Sequence, residues 1–352
     1  MSDAQRKARG VIADLEQAKL LRAVYSDRQL EEVLVDFWFN HFNVFAGKGA
    51  TRNYVGEHER EAIRPFVFGH FRDMLEATAK SPAMLFYLDN WESAAPGAPA
   101  TPARAARPKG LNENYARELM ELHTLGVDGG YTQQDIVEVA RSFTGWTIRP
   151  RMGSGFMFVP FMHDNGEKTV LGHKIKAGGG EGDGEQVLDI LANHPSTAHF
   201  IALKLATRFV SDNPPPTLVD RAAARFTATR GDLREVVRTI ITSPEFFSTE
   251  TYRAKVKTPL EFVVSAVRTT GAEVRNALPL ARELREQGMP LYFCQPPTGY
   301  DDTASSWVSS GALVSRMNFA VRLGENSLPG VRVPGADKQL TVTIGSPDFQ
   351  RR

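Results

Sequence analysis

Three things are scarce in this chain, and each scarcity narrows what it can be. One cysteine, Cys294, stands in 352 residues, so no disulfide can close within the chain and the compartment cannot be read from bridges. No apolar run approaches the ~20 residues that a bilayer-spanning helix needs. The opening "MSDAQRKARG" is charged, with no hydrophobic signal core behind it. The chain as written is therefore expected to be cytoplasmic, with no membrane span. Net charge is scarce too, at +1. A nucleic-acid surface needs clustered basic charge, so no nucleic-acid partner is expected.

Signatures of catalysis are also missing. There is no Gly-x-Ser-x-Gly elbow and no His-Glu-x-x-His. The glycine-rich "AGGGEGDGE" (177–185) lacks a following Gly-Lys-Ser/Thr, and its Glu181, Asp183 and Glu185 would repel phosphate. It reads as a flexible loop leading into a helix. Cys294, in "LYFCQPPTGY", has no charged neighbour in sequence and reads as a packing thiol. The cations Arg104, Arg107 and Lys109 lie in a Pro/Ala-rich stretch without interleaved aromatics, which reads as an exposed loop over 92–110.

What the chain has is helix grammar and enough apolar content, 42%, for a sizeable core. Ser26 with Gln29, Thr132 with Asp135, and Thr258 with Glu261 all show capping-box spacing, and Pro259 sits at a first helical position. "SPAMLFYL" has the same Ser-Pro start. Further helices are expected at 185–192, 196–210, 217–227, 233–242 and 304–323. "GEHEREAIRP" reads as an ion-paired, exposed helix start, with Glu57 opposite Arg60 and Glu61 opposite Arg64. One stretch, "FMFVPFMHDNGEKTVLGHKI", carries two short apolar runs around Asn165-Gly166, the strongest short signal for a hairpin turn. The expected fold is a single all-α domain with one small β-hairpin near 156–175.

The polar residues of "GLNENYARELMELHTLGV" (110–127) decide the functional reading. On a helix, Tyr115, Leu119 and Leu122 form one stripe with Ala116, Met120 and His123 beside it. Asn112 is the cap, Glu113 suits the positive end, Arg117 can pair with Glu121 and Asn114 with Glu118, and Gly126 ends the helix. His123 borders the stripe. So does His41 in "DFWFNHFNVF", one turn after Phe37 and Trp38. A buried neutral imidazole needs a partner for a ring nitrogen. Two such histidines with Glu118 or Glu121 nearby would form a metal or acid/base constellation. Against it, Glu121 and His123 do not face the same way.

These residues also carry a resemblance. "FWFNHFNVF", "HEREAIRPFVFGHF", "NENYARELMELHTLGV", "GYTQQDIVEVARSFTGW", "HDNGEKTVLG" and "GSPDFQRR" resemble the bacterial domain-of-unknown-function 1800 family, over about 21–352. The resemblance implies a largely helical bacterial protein and supplies no activity. It implies a further N-terminal helical segment that is largely missing here, and many similar proteins are exported, which would make this one periplasmic. It draws attention to Asn40, His41, Glu113, Asn114, Arg117, Glu118, Glu121, His123, His163 and Asp164.

Two functions follow as expectations. The first is a hydrolase-like enzyme in which His41, His123 and Glu118 hold a divalent metal ion or act as acid and base, with Glu121 as a ligand or base and Arg117 as an anion clamp. The second is a non-catalytic helical binding or assembly protein whose polar motif is a buried packing network. A superficial likeness of "ELHTLG" and "FWFNHF" to haem-peroxidase histidine stretches is a third and weaker reading.

Overall fold

In the computed structural model, which describes residues 3–98, 110–148 and 155–352, the chain is mainly helical with small two-stranded antiparallel sheets. The apolar stripes of its helices meet in a core whose largest buried members include Trp38, Phe42, Phe71, Tyr115, Phe143, Trp146, Phe262 and Phe319. No helix is long and apolar enough to cross a membrane among the described residues.

Two of the three expected capping boxes form. Thr132 and Asp135 exchange bonds at the start of Gln133–Ser142, and Thr258 and Glu261 do so before Pro259–Thr269. The third does not. The Ser26 hydroxyl accepts from Arg28 N, while Gln29 Nε2 donates to the carbonyls of Ala23 and Ser26. Ser81 stands at the start of Pro82–Tyr87 without a side-chain capping bond, and its hydroxyl meets His58.

The strands correct the expected hairpin. Phe156–Phe158 pairs with Trp146–Ile148, and Lys168–Val170 pairs separately with His173–Ile175. The tight turn is Leu171-Gly172, where both residues hold positive φ (50° and 81°), the geometry of a two-residue hairpin loop. Asn165-Gly166 belongs to a different turn, in which Asp164 Oδ1 accepts from Gly166 N. A third small sheet joins Glu273–Val274 to Val331–Arg332.

Two motif helices widen partway. Glu113–Glu118 is α-helical and Leu119–Thr124 is π-helical, with Leu125 N reaching Met120 O. His58–Ile63 is a second π turn. Such turns rotate the following side chains off the α-helical wheel. The exposed start expected for "HEREAI" is also corrected, since His58 and Glu59 are buried. Arg60 pairs with Glu61, and Arg64 reaches Glu32 with both terminal nitrogens. At the expected Pro/Ala loop, Ser93 and Ala94 are buried. Positions 99–109, with Arg104, Arg107 and Lys109, lie outside the described residues.

Candidate functional site

The apolar run of Gln29–His41 buries Phe37, Trp38 and His41 together. Trp38 stands edge-on to the His41 ring at 5.2 Å and Phe42 at 4.6 Å. The π turn brings His123 to the same place, its ring 6.1 Å from that of His41. Both histidines are 2% exposed. His41 Nε2 donates to the His123 carbonyl at 3.1 Å, and His41 Nδ1 and His123 Nε2 have no hydrogen-bond partner among the described residues. Burial, and then the Lys204 ammonium, push both below the usual imidazole range, His123 to about 3. Lys204 itself is lowered by burial against the pull of Asp302 and Asp301, and its Nζ sits 5.5 Å above the Phe200 ring. The corner is nitrogen-rich, and among the described residues no carboxylate is bonded to either ring.

His58, which drew no functional role from sequence, has both ring nitrogens bonded. Nε2 donates to Phe42 O at 2.9 Å and Nδ1 accepts from the Ser81 hydroxyl at 2.8 Å. Burial holds it at about 4.

Neither asparagine of "FNHFN" points to the histidines. Asn40 clasps Tyr300, donating to its carbonyl and accepting from its N–H, both at 2.6 Å. Asn43 donates to the carbonyls of Cys294 and Pro296. Tyr87 adds a hydroxyl bond to Gln295 O. Together they clamp the "CQPPTGY" loop. Gly299 makes the clasp possible, since it has φ +74° and a Cβ there would lie 2.2 Å from Asn40 O. Gly299→Ala is expected to cost roughly 2–3 kcal/mol, read as a lower urea midpoint. A change under about 0.5 kcal/mol would show that the clasp can yield.

The acidic groups of the opening helix lie apart from this corner. Arg117 donates to Glu121 at 3.4 Å and to Gln133 at 2.9 Å, and Gln133 donates on to Glu113. That is a partly exposed surface chain, with the Arg117 side chain 40% exposed. Arg117→Ala should therefore cost under about 1 kcal/mol, a small effect checked by the same urea titration. Glu118 is half-buried, and no bond or ion pair joins it to another described residue. Burial, then the charge of Glu121, raises its carboxyl above the usual range. Among the described residues, no three His, Cys, Asp or Glu side chains are grouped so as to hold a metal ion. The expected set of His41, His123 and Glu118 is thus two histidines that meet and a glutamate that does not join them.

The "HDNGEK" motif builds a second buried centre. Arg141 grips Asp164 with two parallel bonds of 2.9 and 3.0 Å and reaches Glu138 at 2.6 Å. Those bonds hold the Asp164 carboxyl below its usual range. Behind it, His163 and Lys168 converge on Asp183 Oδ2 at 3.1 and 2.6 Å, and all three side chains are fully buried. Lys168 Nζ also donates to the carbonyls of Asp164 and Gly166. Thr144 O accepts from His163 Nδ1. Asp183 comes from the glycine-rich stretch expected to be a flexible loop. A Cβ at Gly179 would stand 2.0 Å from Asp183 Oδ1. The glycines let the backbone wrap a buried carboxylate, and Asp183 and Lys168 are the members of this centre that sequence reasoning missed. An aspartate beside glycines at a helix start is an ordinary surface pattern, so it carried no signal.

No curated protein and no solved structure matches the chain. The family model described as "Protein of unknown function (DUF1800)" matches residues 2–350, and with nearly its whole length covered the chain belongs to that family.

Proposed function

We propose that this protein is a non-catalytic helical binding protein, in which the buried polar side chains of the family's motifs form a frame and the ligand contacts lie elsewhere. One observation carries this reading: the polar side chains of three separate motifs turn inward. His41, Asn43, His123 and His163 are each under 5% exposed, and their bonds run to backbone carbonyls and to one buried carboxylate. A substrate cannot reach groups so placed without opening the core. Such networks fix one packing arrangement of the helices around them.

A second reading has one observation in its favour. The Glu118 carboxyl sits on the motif helix, half-buried, unpaired among the described residues and raised by burial. That is the state of a general acid, and it would serve an enzyme that needs no metal at the histidines.

The test is the metal content of untagged protein by mass spectrometry, on the wild type and on the double variant His41→Gln, His123→Gln. The binding-protein reading expects no stoichiometric metal in either, and a lower melting temperature in the variant. Near-stoichiometric metal that disappears in a still-folded double variant would overturn it in favour of the hydrolase-like enzyme.

A further inference from the structure

The segment after Leu233–Ile241 leaves large aromatic surface in water. Phe247 and Tyr252 are 74% and 72% exposed. Most apolar residues of that size are covered in a folded chain, so an open pair on one short segment is a feature to explain. Phe246 and Phe247 pack edge to face at 5.1 Å. With Phe209, Val210 and Tyr252 they wall a pocket of about 600 Å³, a volume that suits a small organic molecule.

Two arginines line this pocket. Its charged lining residues are Arg253 and Arg352, and no aspartate or glutamate lines it. Arg253 lies 5.4 Å over the Tyr252 ring, and no bond or ion pair joins its guanidinium to a carboxylate among the described residues. Its backbone is held at φ 55°, which costs free energy for a side chain of this size. Two nearby carboxylates are engaged by other arginines. Glu245 is bonded to Arg221 at 2.7 Å. Glu261 is shared by Arg352 and Arg208. Behind the pocket Lys257 stands 3.8 Å over the Phe349 ring. Burial, and then the charges of Arg253, Arg352 and Arg316, lower its ammonium to about 8 against the pull of Glu261.

From this geometry we infer that the pocket between Phe247, Tyr252 and Arg352 binds a small aromatic carboxylate, its ring between Phe247 and Tyr252 and its anion on Arg253. Flat rings stack on exposed aromatics, and a guanidinium offers a carboxylate two parallel bonds. The inference rests on the binding-protein reading and supplies its ligand class.

2-Naphthoate, followed by its own fluorescence, is the probe. Saturable binding to the full chain is expected, weakened by salt. Arg253→Gln and Phe247→Ala are both surface changes that leave the core intact. Each should weaken binding by roughly tenfold or more, the usual worth of a bond to a charged group or of a stacked ring. The neutral methyl ester should bind correspondingly worse. No saturable binding, or binding indifferent to both substitutions, overturns the pocket assignment alone. Stoichiometric metal at His41 and His123 would overturn the binding-protein reading and leave a positive titration standing.

Discussion

Asp183→Asn is expected to destabilise the protein by roughly 3–5 kcal/mol, the usual result of removing one partner from a buried ion pair. The carboxylate lies with Lys168 and His163 where no side-chain surface is exposed. Taking its charge away leaves the Lys168 ammonium unneutralised in the core, among neutral acceptors such as the carbonyls of Asp164 and Gly166. For a chain of this size the melting temperature should fall by on the order of 10 °C. Lys168→Met alone leaves Asp183 stranded and should cost a similar amount. Combining the two removes both charges, so the double variant should lose less than the singles added together. Equilibrium unfolding in urea checks all three proteins. Simple additivity would mean that the pair does not act as a unit.

The second large effect is loss of stability in acid. An unfolded histidine takes up a proton near 6.5, whereas His58 is held at about 4 and His123 at about 3, with His41 also well below. Between those values the unfolded chain binds protons that the folded chain refuses. Stability therefore falls as pH drops from about 6.5, and keeps falling to about 4 for His58 and lower for His123. His58 alone is worth about 3 kcal/mol by pH 4. Glu283 works the other way. Burial raises its carboxyl to about 7 despite its ion pair with Arg322 at 2.7 Å. The folded chain then holds a proton that the unfolded chain has released, so Glu283 adds stability as pH falls from about 7 towards the ordinary glutamate value of 4.5. His58→Gln should flatten the acid loss and Glu283→Gln should steepen it. Urea midpoints across the acid range decide the matter. An unchanged pH slope in His58→Gln would show that this imidazole can take a proton without unfolding the chain.

Local grammar was legible in the residues. Thr132 with Asp135 and Thr258 with Glu261 announced their helices because both halves of each capping box lie within one turn. Ser81-Pro82 marked a helix start too, although the Ser81 hydroxyl bonds to a histidine 23 residues earlier in the chain and makes no cap. Local grammar failed at Asn165-Gly166, where Lys168 Nζ holds the Asp164 and Gly166 carbonyls and Asp164 Oδ1 accepts from Gly166 N. The histidine pair was half legible. Periodicity brought His41 and His123 to the core, but the π turn at Leu119–Thr124 breaks the wheel on which Glu118 was placed near them. Asp183 was illegible because nothing within a few residues of it forecasts His163 and Lys168 as partners.

The Asn40 clasp spans 260 residues of sequence, and that separation has a kinetic meaning. At ribosomal speeds of about 5–20 residues per second, Asn40 waits roughly 10 to 50 s for Tyr300 to be made. During that time Phe37, Trp38 and Phe39, which are buried in the finished fold, sit beside a helix end whose partner loop does not yet exist. The helix is thus made early and completed late. A nascent chain stalled before this region would leave Phe39 without the Tyr292 ring that packs on it, and a ribosome-bound truncation series would locate the length at which protease resistance first appears.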